Sequence, residues 1–362
     1  MIKVPVGRGF LPSYDPLRKL PSDFAQLEEV ASNLPKHYTE GTIRNAVLSL
    51  PILSVDNLSG SEQEAVMRDY AFIVSAYYHT PKHQPPSHIP SNLAVPFYQI
   101  SKRFGKPSIL SYCSYCLNNW WKRFHDNGVG IELGNIEIIR KFTFERDEEW
   151  FILIHVDIEA NAAPLLPALV AAVEASKFFD NLALEQNLIL IGKIVNKLYK
   201  TLCRMNEECH PEAYFQKVRP PIMFFKQVIF EGVEELEGKP IDLLGETGAQ
   251  SSIIPSLDAA LGVFHEQGKG TDFLAAHQGY MPPDHRQFIA DLKRESTIKD
   301  RVFKVGGSLR IAYDFVLLEM ERFRSQHLKW AKQYIFDHLP NKIGTGGTPA
   351  DVWLAKLRDE TR

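Results

Sequence analysis

Apolar side chains recur along this chain mainly at helical spacing. Residues 62–80, EQEAVMRDYAFIVSAYYHT, place Val66, Tyr70, Ile73 and Tyr77 three or four positions apart, which predicts an amphipathic helix with one buried stripe. GKIVNKLYKTLCRMNEEC repeats the pattern with Ile194, Leu198, Leu202 and Met205, so 165–209 reads as long helices. Further helices are expected around SDFAQLEEVASNLP, from PSILSYCSYCLNNWWKRF, and over 253–265, 284–292 and 308–338, separated by proline-rich or glycine-rich turns such as TPKHQPPSHIPSNLAVP. One passage departs from this. WFILIHVDIEANA alternates, with Ile152, Ile154, Val156 and Ile158 on one side and Phe151, Leu153, His155, Asp157 and Glu159 on the other, and periodicity alone predicts a short strand over 151–159.

These elements add up to an all-α protein. The first 45 residues carry eight prolines or glycines and read as an irregular arm laid against the body. The polar run FERDEEW, 144–150, marks the expected boundary between an N-terminal arm with a small helical domain, 1–145, and a larger helical domain, 146–362. With 362 residues, 44% hydrophobic and 23% charged, the chain has material for a large core.

Charge and cysteine content narrow the function classes. The 41 basic and 44 acidic side chains give a net charge of -3 with no basic block, so nucleic acid is not an expected partner. The apolar run AAPLLPALVAAV, 162–173, is short for a bilayer and holds Pro164 and Pro167, so no membrane partner is expected. Four cysteines, at 113, 116, 203 and 209, are too few for a disulfide framework and fit a reducing, cytoplasmic setting.

Three local patterns could carry chemistry. CSYC has the spacing of a redox dithiol or half a zinc site, but it is embedded among Tyr112, Tyr115 and Leu117, as small buried cysteines would be. GTGGTPADVW, 344–353, offers an anion nest, a glycine-hinged lid or a plain tail; it lacks the lysine and hydroxyl of a Walker loop. The third is ERFRSQHLKWAKQYIFDHL, where Phe323, His327 and Ala331 lie at successive i,i+4 positions with Arg324 on much the same face. A small alanine one turn from an inward histidine leaves room for a flat bulky group. A single imidazole with no cysteine or second histidine on its face suits haem iron better than zinc, because haem already supplies four nitrogens. The competing reading is a packed or solvent-exposed histidine. Asp258, on the otherwise apolar helix SSIIPSLDAALGVF, needs a partner if buried; Arg324 and the second nitrogen of His327 are the candidates, and a solvent-edge acid is the alternative.

The segments FRSQHLKWAKQYI, GAQSSIIPSLDAALG, YMPPDHRQFI, SLRIAYD and GTGGT, in their order, resemble the indoleamine 2,3-dioxygenase family, with weaker similarity through SYCSYCLNNW and HPEAYFQKVR. The resemblance implies a helical haem b protein with a small and a large domain, which uses O2 to cleave the indole 2,3 bond of L-tryptophan to N-formylkynurenine. It further implies O2, an aromatic amino-acid or indole substrate and a reductant for the haem as partners, with a monomer favoured.

Residue by residue, it places the proximal haem ligand on His327, the propionate-pairing arginine on Arg324 and the acid of the proximal network on Asp258. The indole walls fall on Tyr214 and Phe215, where two phenylalanines are commoner, and the carboxylate clamp on Arg219. Tyr112 matches a distal-pocket aromatic, Thr247 and Gly248 the segment beside haem and substrate, and Thr345 the contact from a substrate-covering loop. His155 falls where the better-known animal members carry serine, resembling in this the related tryptophan 2,3-dioxygenases, and it is the candidate catalytic residue. The family places 151–159 on a helix, against the strand expected from alternation. His155 and Tyr214 add polarity to the pocket, which leaves open a haem-dependent monooxygenase or oxidase of a modified indole or another aromatic amino acid. A non-catalytic haem-based oxygen sensor is the reading from a different class.

Overall fold

A computed structural model describes residues 2, 7–125, 130–339 and 350–361, residues 350–353 by their backbone alone. The chain is built mainly of α-helices. Three short helices, α1 (Ala25–Ser32), α2 (Leu34–Glu40) and α3 (Ile43–Ala46), precede α4 (Gly60–Tyr78), whose start is set by a capping box between Ser59 and Glu62. α5 (Ser91–Arg103) packs on α4. Two small sheets border this half. β1 (His88–Ile89) runs parallel to β4 (Phe225–Phe230), which pairs antiparallel with β5 (Ile241–Leu243); β2 (Trp120–Lys122) pairs antiparallel with β3 (Ile136–Ile138). The helix expected from 107 onward is therefore reduced to one π-helical turn, Cys113–Leu117, followed by a strand.

The second half begins with α6 (Arg146–Asn161), α7 (Leu165–Lys177) and α8 (Asn181–Cys203), followed by the single turn α9 (Pro211–Ala213). It continues through α10 (Ile253–Leu261), α11 (Lys269–Gln278), α12 (Pro283–Glu295), α13 (Ile298–Val305), the long α14 (Gly307–Tyr334) and α15 (Ala350–Asp359). α8 and α14 lie side by side. Gly192 makes that approach possible: a Cβ there would sit 2.3 Å from the Phe315 ring.

Residues 151–159 are helical, so the strand expected from alternation is incorrect. The alternation arises because α6 is buried on nearly every side. Ile152, Leu153 and Val156 enter one apolar core, shared with α4, α5 and β4, while Trp150, Ile154 and Ile158 enter a second, shared with α7, α8, α10 and α14. A helix apolar all round loses the periodicity that distinguishes it from a strand. By length and composition, Arg146–Lys177 also passes as a membrane span, but it breaks into two helices near Pro164, and 67% of its most apolar window is buried inside the fold.

Candidate functional site

Helical spacing on α6 places Phe151, His155 and Glu159 one turn apart on one face. His155 Nδ1 is 2.7 Å from the Phe151 carbonyl oxygen. A carbonyl only accepts, so Nδ1 carries the proton of this contact. Burial pushes the His155 pKa down to about 4, so the ring is neutral near pH 7 and Nε2 is left with a free lone pair. The Phe151 ring lies 4.5 Å from that of His155, and Tyr112 meets His155 edge-on at 5.8 Å.

Glu159 ties this face to the next segment. Its Oε1 accepts from the Tyr112 hydroxyl at 2.9 Å and from Ser251 Oγ at 2.8 Å, while Oε2 is buried without a partner among the described residues. Burial raises its carboxyl to about 7. Tyr112 therefore turns its hydroxyl to Glu159 and its ring to His155. The Tyr112 backbone N–H donates to Gln250 Oε1 at 2.8 Å, which fixes the 3-10 turn Gly248–Gln250 against the distal side.

The substrate-clamp candidates share a second π-helical turn, Tyr214–Val218, with Arg219 at its end. The Arg219 N–H donates to the Tyr214 carbonyl at 2.8 Å, the i+5 bond of a π turn. That wider turn brings a residue five positions on back over the first. Tyr214 is buried, 4.9 Å from the Phe151 ring, and Phe215 stacks on His338 at 4.9 Å. The Arg219 guanidinium lies 5.5 Å from the Phe215 ring and 3.7 Å from Met223 Sδ. It has no carboxylate partner among the described residues, and burial lowers its pKa from the ordinary arginine value.

His327 and Arg324 are both on α14. Arg324 Nη2 donates to Asp258 Oδ2 at 2.6 Å and Oδ1 at 2.8 Å, and Nη1 bonds Thr361 beyond α15. His265 joins the same cluster, with Nε2 3.3 Å from Asp258 Oδ2 and Nδ1 2.9 Å from Glu360 Oε2. Asp258 thus pairs with Arg324 and not with the second nitrogen of His327. His327 has exposed surface, yet surrounding protein desolvates it enough to lower its pKa, as does nearby Arg324. An exposed imidazole that is also enclosed lies in the wall of an interior space. Its field depresses His155 in turn, so the two imidazoles lie within electrostatic reach of each other.

Thr247 is extended and accepts the Ala249 N–H at 3.4 Å, and space beside Gly248 is open. Thr345 and the GTGGT motif lie outside the described residues. No group of three or more metal-binding side chains occurs among the described residues, and Cys113 and Cys116 are buried within their π turn. A single unpartnered histidine in an interior wall fits a group that brings its own equatorial ligands. The cleft lined by Val263, Lys299, Phe303 and Arg310 does not include these residues.

Comparison with known proteins bears on the family of the chain. The family model described as indoleamine 2,3-dioxygenase matches residues 2–343. The chain belongs to the indoleamine 2,3-dioxygenase family. It is 29% identical to human indoleamine 2,3-dioxygenase 2, over 96% of this chain and 90% of that protein, and 29% identical to an indoleamine 2,3-dioxygenase of Aspergillus candidus, over 98% and 94%. A myoglobin of Haliotis madaka is 24% identical over 98% of this chain and 95% of its own length. Members of the family use haem b.

Sequence reasoning missed Phe151, Glu159, Gln250 and His265 as parts of this arrangement. Phe151 and Glu159 were within its reach, because they flank His155 at i-4 and i+4 once 151–159 is read as helix. The others are joined to it only by contacts between distant segments.

Proposed function

We propose that this protein is a haem-dependent dioxygenase that cleaves the indole 2,3 bond of L-tryptophan, giving N-formylkynurenine. The observation that supports this best is the neutral His155 acceptor beside aromatic walls that also carry the unpaired Arg219. A donor N–H on a flat ring, with a carboxylate at the other end, is the ligand chemistry this combination suits.

In this reading His327 would hold the iron, and Arg324, steadied by Asp258, would pair with a propionate. Haem supplies the binding and activation of O2. His155 Nε2 accepts the indole N–H, which fixes the ring and pushes electron density toward C2 and C3. Because the acceptor is neutral and weakly basic, it orients the substrate without removing its proton. Arg219 pairs with the substrate carboxylate. Phe151, Tyr112, Tyr214 and Phe215 form the walls that exclude water, with Thr247 and Gly248 beside them, and Thr345 is assigned to the amino-acid end of the substrate. The division into an N-terminal unit, 1–145, and a haem-binding unit, 146–362, belongs to the same proposal.

Labelled-oxygen product analysis of the reduced, haem-loaded protein tests it. The expected product is N-formylkynurenine carrying both atoms of one O2, and a product carrying one atom would instead support a monooxygenase. A second reading has support in the Haliotis relative named as a myoglobin. Reversible O2 binding with no turnover of any indole would favour that non-catalytic role.

A further inference from the structure

Glu246 is a charged residue that none of the roles above uses. It sits in the loop between β5 and the 248–250 turn, and its position is fixed on both sides. Its own N–H donates to the Ile222 carbonyl at 2.9 Å. The preceding Gly245 is pressed so closely on 222–224 that a Cβ would fall 2.6 Å from the Ile222 oxygen and the Met223 carbonyl carbon. Only glycine permits that contact, and the contact holds Glu246 against the segment that follows Arg219 after Pro220 and Pro221.

The carboxylate is close enough to Tyr112, Tyr115, Cys116 and Tyr214 to oppose the ionisation of all four. None of them donates a hydrogen bond to it, and no cation among the described residues pairs with it. Burial alone raises its carboxyl to about 8. A desolvated acid without a partner is costly, and native proteins rarely keep one without use. Arg219 is its counterpart, a desolvated cation without a carboxylate. Tyr214 feels both fields, raised by Glu246 and lowered by Arg219. The free acid is protonated near pH 7, and an ammonium group brought beside it would favour the carboxylate; two unpaired groups that both act on Tyr214 complement a ligand that carries a charge of each sign.

We propose that Glu246 accepts the α-ammonium group of the substrate while Arg219 holds its carboxylate, so that the pocket selects a zwitterionic amino acid over des-amino indoles. This deepens the reading given under Proposed function and rests on it. Glu246 would determine specificity, with no part in oxygen transfer.

The test compares binding of three probes to the haem-loaded protein by calorimetry: L-tryptophan, tryptamine, which lacks the carboxylate, and indole-3-propionate, which lacks the ammonium group. Glu246→Gln is expected to weaken L-tryptophan and tryptamine by about tenfold to a hundredfold and to leave indole-3-propionate unchanged or tighter, while Arg219→Gln shows the opposite selectivity. The glutamine is isosteric and cannot ionise in its buried setting, so the variant should melt no lower than the wild type. Equal weakening of all three probes, or of none, by Glu246→Gln would overturn the assignment while leaving the dioxygenase reading intact. Failure of the wild type to bind any of the three would overturn both.

Discussion

His155 Nδ1 and the Phe151 carbonyl oxygen, one turn apart on α6, lie 2.7 Å from each other, and this contact decides what the distal imidazole can do. With the proton on Nδ1 and the ring neutral, Nε2 can accept a hydrogen bond and cannot donate one. It therefore suits an indole N–H and is unsuited to donating to bound oxygen. His155→Ser is expected to keep haem and measurable turnover. The wild type should lose more activity than the serine variant when 1-methyltryptophan replaces tryptophan. No turnover of either substrate by a folded, haem-loaded variant would contradict a purely orienting role.

The same contact predicts a pH profile. Because burial holds the His155 pKa at about 4, the imidazole stays an acceptor between about pH 6 and 8, and its contribution should be flat there. Productive tryptophan binding should fall only as the pH approaches 4 and Nε2 gains a proton. A binding transition near pH 6.5 that vanishes in His155→Ser would show that the ring titrates at its ordinary value.

Replacing His327 with alanine should abolish axial ligation and lower haem occupancy while α14 keeps its packing on α8. Iron content and the Soret spectrum read the first, and far-UV circular dichroism the second. Full occupancy with an axial-histidine spectrum would move the ligand to another residue.

The Arg324–Asp258 pair is mostly buried, with side chains 12% and 17% exposed. Asp258→Ala leaves the arginine without its counter-charge and should cost about 2–4 kcal/mol of unfolding free energy. It should also speed haem loss to a scavenging globin, because Arg324 and His327 share one stretch of α14. Denaturant titration and haem-transfer rates measure the two effects separately.

Glu246 makes stability depend on pH with a definite sign. Its folded carboxyl is raised from 4.5 to about 8, so between those values the folded protein binds more protons than the unfolded chain, and stability contributed by this group is lost as pH rises. Without substrate, Glu246→Gln should exceed the wild type by about 2–4 kcal/mol at pH 8.5, with the difference shrinking toward zero below about pH 4.5. Paired melts at the two pH values check it.

The helical class and the family were legible in the sequence. Intervals of three and four around Val66, Ile73, Leu198 and Leu202 are local properties that any soluble helix with one buried face must show, and the ordered segments around Asp258 and His327 need no folding to be read. Legibility failed where packing is not one-sided. α6 is buried between two cores, so its sequence alternates by accident of composition, and both the strand expectation over 151–159 and the neglect of Phe151 and Glu159 follow from that.

What only the tertiary structure decided is which groups meet and which stay without partners. Residue types alone made Arg324, Asp258, Arg219 and His155 candidates, but the tautomer of His155 depends on the carbonyl above it, and the choice of Arg324 as the partner of Asp258 depends on how α10 meets α14. Glu246 is an ordinary loop acid in the sequence. It becomes a candidate for the ammonium group because Gly245 docks on 222–224, in a setting that disfavours the charged carboxylate and where no counter-charge from the described residues pairs with it. Desolvation and pairing are set by segments far apart along the chain, so a one-dimensional pattern carries no trace of them.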